Sequence, residues 1–300
     1  MKRVIVTGGT GFIGSYLVSQ LIEQNVDVTV LTSHKKESRN KLLHYVECSY
    51  ITFDVILPYD EYDCFFHLGW GGVDNRDKNN RDIQLANIES SIKALDLAYR
   101  VNCNLFIGTG TVAEYAATPE MIDYDIKQAP IDIYGACKTA THYLLESIAR
   151  QRHQKFIWAI LPSTYGPGRT EDNILTYTIV SLLKGESPKY GKLEQMWDFL
   201  YVSEVARALI YIYEKGESDS VYGIGSGEFH ALKYYIEIIH SKINKKINLG
   251  IGLIDQQSKK SISSCVNITK LTKDTGFMPE ISFNEGINFT IDYYRKKLKN

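Results

Sequence analysis

The chain has 300 residues, of which 44% are hydrophobic and 23% charged, and its formal net charge is −1. That size supports one large core or two unequal domains, and the near-neutral charge argues against nucleic acid or an anionic membrane as the main partner. Five scattered cysteines (Cys48, Cys64, Cys103, Cys137 and Cys265) contain no C-x-x-C pair, so idle thiols fit better than disulfides or a metal site.

No apolar run reaches the length of a membrane span, and Met1-Lys2-Arg3 leads directly into an apolar strand without room for a signal peptide. The expectation is a soluble, cytoplasmic, enzyme-like protein. Val4-Ile5-Val6 opens that strand, which runs into Thr7-Gly8-Gly9-Thr10-Gly11-Phe12-Ile13-Gly14. A helical pattern of Phe12, Ile13, Leu17, Leu21 and Ile22 follows at once. Glycines allow the turn to take positive φ and to approach a pyrophosphate, on which the helix N-terminus directs its N–H groups. Strand, glycines and helix in this order predict a dinucleotide site that includes Gly8, Gly11, Phe12, Ile13 and Gly14.

Val28-Thr29-Val30-Leu31 reads as a second buried strand ending at Thr32, 18 residues after Gly14. An acid about 20 residues beyond the glycines would hold the ribose 2′-hydroxyl of NAD. Here the strand ends in Thr32-Ser33-His34-Lys35-Lys36 instead. Thr32, Ser33 and Lys35 suit a 2′-phosphate, so NADP(H) is favoured, with NAD(H) possible and a solvated basic loop as the alternative. Asp54 and Val55 follow another short extended segment, where Asp54 is either an adenine contact or an exposed turn residue.

Cys64 to Leu68 forms a buried strand ending at Gly69, and Leu68 and Gly69 are expected beside the nicotinamide. His67, at the strand end, reads as a structural hydrogen-bonding group. Trp70-Gly71-Gly72 is a glycine-rich loop expected to line a substrate pocket. A helix is predicted over 80–101, with Asn87 in its middle expected to face solvent. Leu105-Phe106-Ile107 forms the next strand and leads to Thr111, and Tyr134-Gly135-Ala136-Cys137-Lys138 opens a helix running to about Gln151.

Tyr134 and Lys138, four residues apart, share one helix face. A tyrosine is a poor acid–base near neutral pH unless positive charge favours its phenolate, which is the role expected of Lys138 together with the nicotinamide of an oxidised cofactor. Thr111 ends the neighbouring strand, where its hydroxyl could bind the same substrate oxygen. The catalytic candidates are therefore Thr111, Tyr134 and Lys138.

Together these segments resemble the extended branch of the short-chain dehydrogenase/reductase superfamily that acts on nucleotide sugars, over essentially the whole chain. Thr7–Gly14 is similar to its cofactor motif and Tyr134–Lys138 to its catalytic motif. Leu161–Gly168, Trp197–Ala206 and Tyr222–Gly227 resemble further segments of the branch. The resemblance implies that Asn87 matches a helix asparagine, Asp54 an adenine-contacting aspartate, and Lys138 a ligand of the nicotinamide ribose. It also implies a homodimer built on the helices at 81–100 and 134–151.

Departures from the branch narrow the chemistry. Its 4,6-dehydratases carry Asp-Glu directly after the catalytic hydroxyl residue, where this chain has Val112-Ala113. The GDP-fucose-synthase type has a cysteine at the position of Ala113. What remains is NADPH-dependent reduction of a nucleotide-linked 4-keto-(6-deoxy)hexose, with 4-epimerisation as the alternative and a non-catalytic dinucleotide sensor as a remote one. Gly110–Tyr115 and Trp197-Asp198-Phe199 look more like deoxysugar ketoreductases such as CDP-abequose synthase. The substrate, a nucleotide-diphosphate sugar, is expected to meet Trp70, Thr111, Ser163, Arg169 and Trp197. Trp197 stands where the branch has a phosphate-binding arginine, and Arg169 is the candidate replacement. Ser163 stands in place of an asparagine.

Strand–helix alternation in the first half predicts an α/β fold, a Rossmann-type doubly wound parallel sheet over residues 1–165. A smaller C-terminal α/β substrate-binding domain is expected over 166–300, with part of 196–224 folding back onto the first. Helices are predicted there at 172–184, 203–215, 231–242 and 284–297.

Overall fold

A computed structural model describes residues 2–74, 76–116, 121–123, 126–169, 173–254 and 264–299. Strands β1 (Arg3–Thr7), β2 (Asp27–Thr32), β3 (Leu43–Glu47), β4 (Tyr62–His67), β5 (Cys103–Thr111) and β6 (Lys155–Leu161) alternate in the first half with helices. These are α1 (Phe12–Glu23), α2 (Arg81–Arg100) and α3 (Ile133–Gln151). Then come β7 (Ser163–Tyr165), α4 (Ile174–Leu183), β8 (Met196–Trp197), β9 (Phe199–Tyr201), α5 (Val202–Lys215), β10 (Ser220–Gly223) and β11 (His230–Ala231). Helices α6 (Leu232–Ile243), α7 (Thr269–Thr275) and α8 (Phe283–Lys297) close the chain.

Seven strands form one parallel sheet in the order β10-β6-β5-β4-β1-β2-β3. The reversal of winding beside β1 gives a crevice at the carboxyl ends of β1 and β4, the general ligand position of such sheets. Both faces are covered, which explains why the strands read as nearly continuous apolar runs. Period-two alternation then assigns the side chains. Val4 and Val6 pack with Leu17, Leu21 and Leu209 on the α1 and α5 side, whereas Ile5 packs with Phe65, Phe106, Leu95 and Leu145 on the α2 and α3 side.

A third core holds Tyr165, Ile179, Tyr190, Ile236, Ile287 and Tyr294, drawn from β7, α4, the segment between α4 and β8, α6 and α8. Strand β9 separates it from the first: Leu200 belongs to the α1-side core, and its neighbours Phe199 and Tyr201 to the third. The chain then returns to the large sheet. Helix α5 buries Val205, Ala206, Leu209 and Ile212, and β10 pairs with β6, setting Tyr222 against Ala159. Helices α4, α5, α6 and α8 fall within two residues of the ranges expected from apolar spacing. The short α7, closed by Gly276 in the left-handed region at φ 76°, carries too brief a pattern to be read from sequence.

Candidate active site

At the carboxyl ends of β1, β4, β5 and β6 lies a cleft of about 620 Å³. Its floor is the β1–α1 turn. Gly8 takes φ +68°, and a Cβ there would stand 2.8 Å from the Leu68 carbonyl carbon, while a Cβ on Gly14 would stand 2.1 Å from the Gly8 oxygen. The Gly11 N–H donates to the Gly8 carbonyl at 2.9 Å, and Gly11 caps α1 without a side chain. Bare backbone and a helix N-terminus therefore meet the cleft, with Phe12 and Ile13 beside them. Such a cradle fits a dinucleotide pyrophosphate.

Gly8, Gly11, Phe12, Ile13, Gly14 and Leu68 all line the cleft; Gly69 does not. The Gly69 N–H donates to Thr7 Oγ1 at 3.0 Å and so anchors the loop from beneath. Thr32, Ser33, Lys35, Asp54 and Val55 also lie outside it. Thr32 is buried at the end of β2, Ser33 and Lys35 are exposed beyond it, and Asp54 is exposed with Val55 half-buried in the loop before β4.

A polar relay ties this floor to α2. His67 Nδ1 lies 2.8 Å from Thr7 Oγ1 and its Nε2 3.0 Å from Ser91 Oγ. Ser91 directs its own proton to the Asn87 carbonyl at 2.7 Å, so His67 donates from Nε2 and accepts at Nδ1. Burial pushes the His67 imidazole down to about 3, as befits a structural group. Asn87 does not face solvent: it accepts the Gly71 N–H at 2.8 Å and donates to the Gly71 carbonyl at 2.9 Å. A helix interior position is polar here because a loop backbone, rather than water, satisfies it.

Gln84, one turn earlier, accepts the Trp70 indole N–H at 2.8 Å and donates to the Gly72 carbonyl at 2.7 Å. Reading the sequence alone missed Gln84. Its spacing with Asn87 and Ser91, a polar stripe on one helix face, is the signal that could have found it.

Thr111, Tyr134 and Lys138 come together on the opposite wall. Asp132 caps α3 by accepting the Gly135 N–H at 2.8 Å. A Cβ on Gly135 would lie 2.4 Å from the Ala113 carbonyl oxygen, so glycine lets α3 start hard against the Val112–Tyr115 turn. Tyr134 meets Trp70 edge to face at 6.2 Å and hydrogen-bonds with the Thr111 side chain. Lys138 is buried, donates from Nζ to the Thr109 carbonyl at 2.7 Å and lies 3.9 Å above the Trp70 ring.

Burial pushes the Tyr134 hydroxyl up to about 12, against the pull of the Thr111 hydrogen bond and the Arg169 charge. Burial likewise pushes the Lys138 ammonium well below the usual lysine range. In the chain by itself desolvation outweighs the Thr111 hydrogen bond and the Arg169 charge and leaves a phenol; the lowering expected of Lys138 belongs to the complex with an oxidised nicotinamide.

The outer wall carries Trp70, Ser163, Arg169 and Trp197. Arg169 stacks over Phe12 at 5.4 Å, and its carbonyl accepts the Tyr294 hydroxyl. Trp197 faces His230 across the β8–β11 pair, and its carbonyl accepts the Tyr235 hydroxyl at 3.0 Å.

A doubly wound sheet, a glycine cradle and a Thr-Tyr-Lys cluster at one crevice define a nicotinamide-dinucleotide enzyme of the extended short-chain dehydrogenase/reductase class. The model of the NAD dependent epimerase/dehydratase family matches residues 4–225, and the chain belongs to that family.

Among curated relatives, the dTDP-4-dehydro-6-deoxyglucose reductase of Escherichia coli is 27% identical, covering 98% of each chain. The CDP-abequose synthase of Salmonella typhimurium is 26% identical over 95% of this chain and 96% of its own. Among solved structures, UDP-glucuronic acid 4-epimerase from Bacillus cereus, in complex with a fluorinated UDP-glucuronic acid and NAD, superposes with a TM-score of 0.86. It is 19% identical over 99% of both chains, a likeness of fold alone. Reductases and epimerases thus stand side by side among the similar proteins. No helix among the described residues is long and apolar enough to cross a membrane.

Proposed function

We propose that this protein is an NADPH-dependent reductase of a nucleotide-linked 4-keto-(6-deoxy)hexose in cytoplasmic deoxysugar biosynthesis. The observation that carries the reading is a Tyr134 hydroxyl in hydrogen-bond contact with Thr111, beside Lys138, at the mouth of the glycine cradle. A phenol is the form required to donate a proton to a ketone oxygen. A reduced nicotinamide held by the glycine cradle and Lys138 would supply the hydride for the carbonyl carbon. Thr111 holds the ketone oxygen and Tyr134 gives it a proton, so the product is a secondary alcohol and the tyrosine leaves as a phenolate to be reprotonated. Lys138, as a cation, stabilises that phenolate and holds the nicotinamide ribose.

Residues 1–165 with the returning α5 and β10 serve the cofactor in this reading, and the rest of 166–300 serves the nucleotide sugar. Arg169, with Trp197 and Ser163, binds the sugar diphosphate. Val112-Ala113 after Thr111 leaves no acid–base pair for eliminating water. NADPH is preferred because Thr32, Ser33 and Lys35 stand at and just beyond the carboxyl end of β2, where that strand carries no acid. Glu47, which pairs with Thr32 across β2 and β3, is a feature that favours NAD(H).

The likeness to 4-epimerases supports a second reading, in which the same cluster oxidises and re-reduces a 4-hydroxyl without net cofactor turnover. Purified protein given NADPH and a panel of nucleotide-linked 4-keto-6-deoxysugars, and in parallel the corresponding 4-hydroxy sugars, separates the two. Loss of absorbance near 340 nm with one substrate is expected. Interconversion of 4-epimers with no cofactor consumed would replace the reductase by the epimerase.

A further inference from the structure

Glu114 is a fully buried carboxylate that the reaction above does not use. It sits in the Val112–Tyr115 turn, where its Oε1 accepts the Thr111 N–H at 2.7 Å, while the Thr111 hydroxyl accepts the Ala113 N–H at 3.3 Å. A capping acid normally stands at the solvent-facing start of a helix, where any carboxylate or amide serves. Here the surroundings are shaped to hold a charge. A Cβ at Gly110 would fall 2.5 Å from Glu114 Oε1 and 2.4 Å from Trp158 Nε1, so the missing side chain is the space that the carboxylate and the indole fill.

Glu114 Oε2 is buried, and the donors around the carboxylate, the Thr111 N–H and the Trp158 indole N–H, are neutral. Cap and indole therefore solvate the carboxylate without balancing its charge, and a buried charge is held best beside an opposite one. The opposite charge in the same pocket is Lys138: its Nζ lies 5.9 Å from the ring of Trp158, the indole that shares the Gly110 space with Glu114, and its own close partners, the Thr109 carbonyl and the Trp70 ring, are neutral.

We propose that Glu114 is a positioning residue of the site: its carboxylate, seated in the space that Gly110 leaves, is the counter-charge that keeps Lys138 an ammonium ion. The inference rests on the proposed reaction, in which Lys138 works as a cation beside Tyr134.

The other groups facing the pair are His67 on β4, Asp132, Tyr134 and His142 on α3, Tyr115 in the turn, and Arg169. Burial holds His67 near 3 and His142 near 4, hence neutral, and holds both tyrosines protonated. Arg169 stays charged throughout, and Asp132 is paired with Lys78 at 3.4 Å. Burial moves Glu114 up and Lys138 down, toward each other, while the charge of each favours the charge of the other.

The test uses the unliganded full-length protein, so it stands or falls independently of the reductase reading. Trp70 carries the Lys138 ammonium on its face, so tryptophan emission followed between about pH 5 and about pH 9 reports loss of that charge. One step is expected, and Lys138→Met abolishes it. Glu114→Gln keeps the acceptor for the Thr111 N–H and removes the charge. It should move the step to lower pH by about one unit or more and weaken NADPH binding about tenfold above the new midpoint.

An unmoved midpoint in Glu114→Gln, or no Lys138-dependent step in the wild type, would overturn the proposal and leave Glu114 a cap. Should Glu114→Gln not fold, NMR of wild-type Lys138 Nζ and Glu114 Cδ decides the matter. A shared transition supports the pair, and two independent transitions at ordinary values overturn it.

Discussion

Tyr134→Phe removes one oxygen and leaves the edge contact with Trp70 in place, so the fold should persist while turnover falls about 10²- to 10⁴-fold, the usual contribution of a positioned acid. Steady-state kinetics beside a thermal melt would separate the two effects. A second expectation at this scale concerns acid. His67 and His142 are buried with imidazoles held at about 3 and about 4, whereas the unfolded chain protonates histidine near 6.5.

The unfolded state therefore takes up protons first as pH falls, and stability declines below about pH 6.5 until the folded values are reached. The slope is of order 1.4 kcal/mol per pH unit for each histidine. His142 stacks on Trp158 at 5.0 Å with the planes 3° apart, so His142→Phe keeps the stack. Melting curves between about pH 7 and about pH 4 should be flatter for that variant. Lys35→Ala, at the end of β2, should weaken NADPH binding while leaving NADH nearly unaffected; equal losses for both would remove the 2′-phosphate role.

Along α2, three side chains at 84, 87 and 91 hold a loop and a histidine that a helix of the same composition could equally have left to water. Gln84→Ala frees the Trp70 indole N–H and strands the Gly72 carbonyl. A cost of about 1–2 kcal/mol in stability is expected, with a larger relative loss in kcat/KM than in melting temperature. Unchanged kinetics would show that Trp70 needs no brace.

The same helix explains what could and could not be read from the sequence. The β1–α1 glycines and the Tyr134–Lys138 spacing are legible because the geometry they need is local: one turn, or one helical repeat. Glu114 is not, and Gln84 and Asn87 are legible only as a polar stripe without its partners, because a polar residue looks the same in sequence whether water or a distant backbone satisfies it. Gly110 and Gly135 carry the missing information only jointly with Trp158 and Ala113, partners that the sheet and the α3 start bring close. Sequence could likewise indicate a basic end to β2, but not that Glu47 would arrive beside it from β3.

For the molecule as a whole, α2 and α3 pack side by side and leave Leu85, Tyr99, Tyr143 and Leu144 exposed by 42–53%. Large apolar side chains on neighbouring helices suit a partner surface, and we expect a homodimer through them. Light scattering on the purified protein should give twice the chain mass, and Leu144→Lys should return it to one.

Strand β9 has a consequence for how the protein comes apart. Its three residues present one side chain to the sheet's α1-side core and two to the core behind Arg169. Melting either core thus uncovers one face of β9 and removes a wall of the other. The cleft is roofed and floored by parts that cannot be separated as fragments, and heat or denaturant should take the whole chain through one transition rather than two.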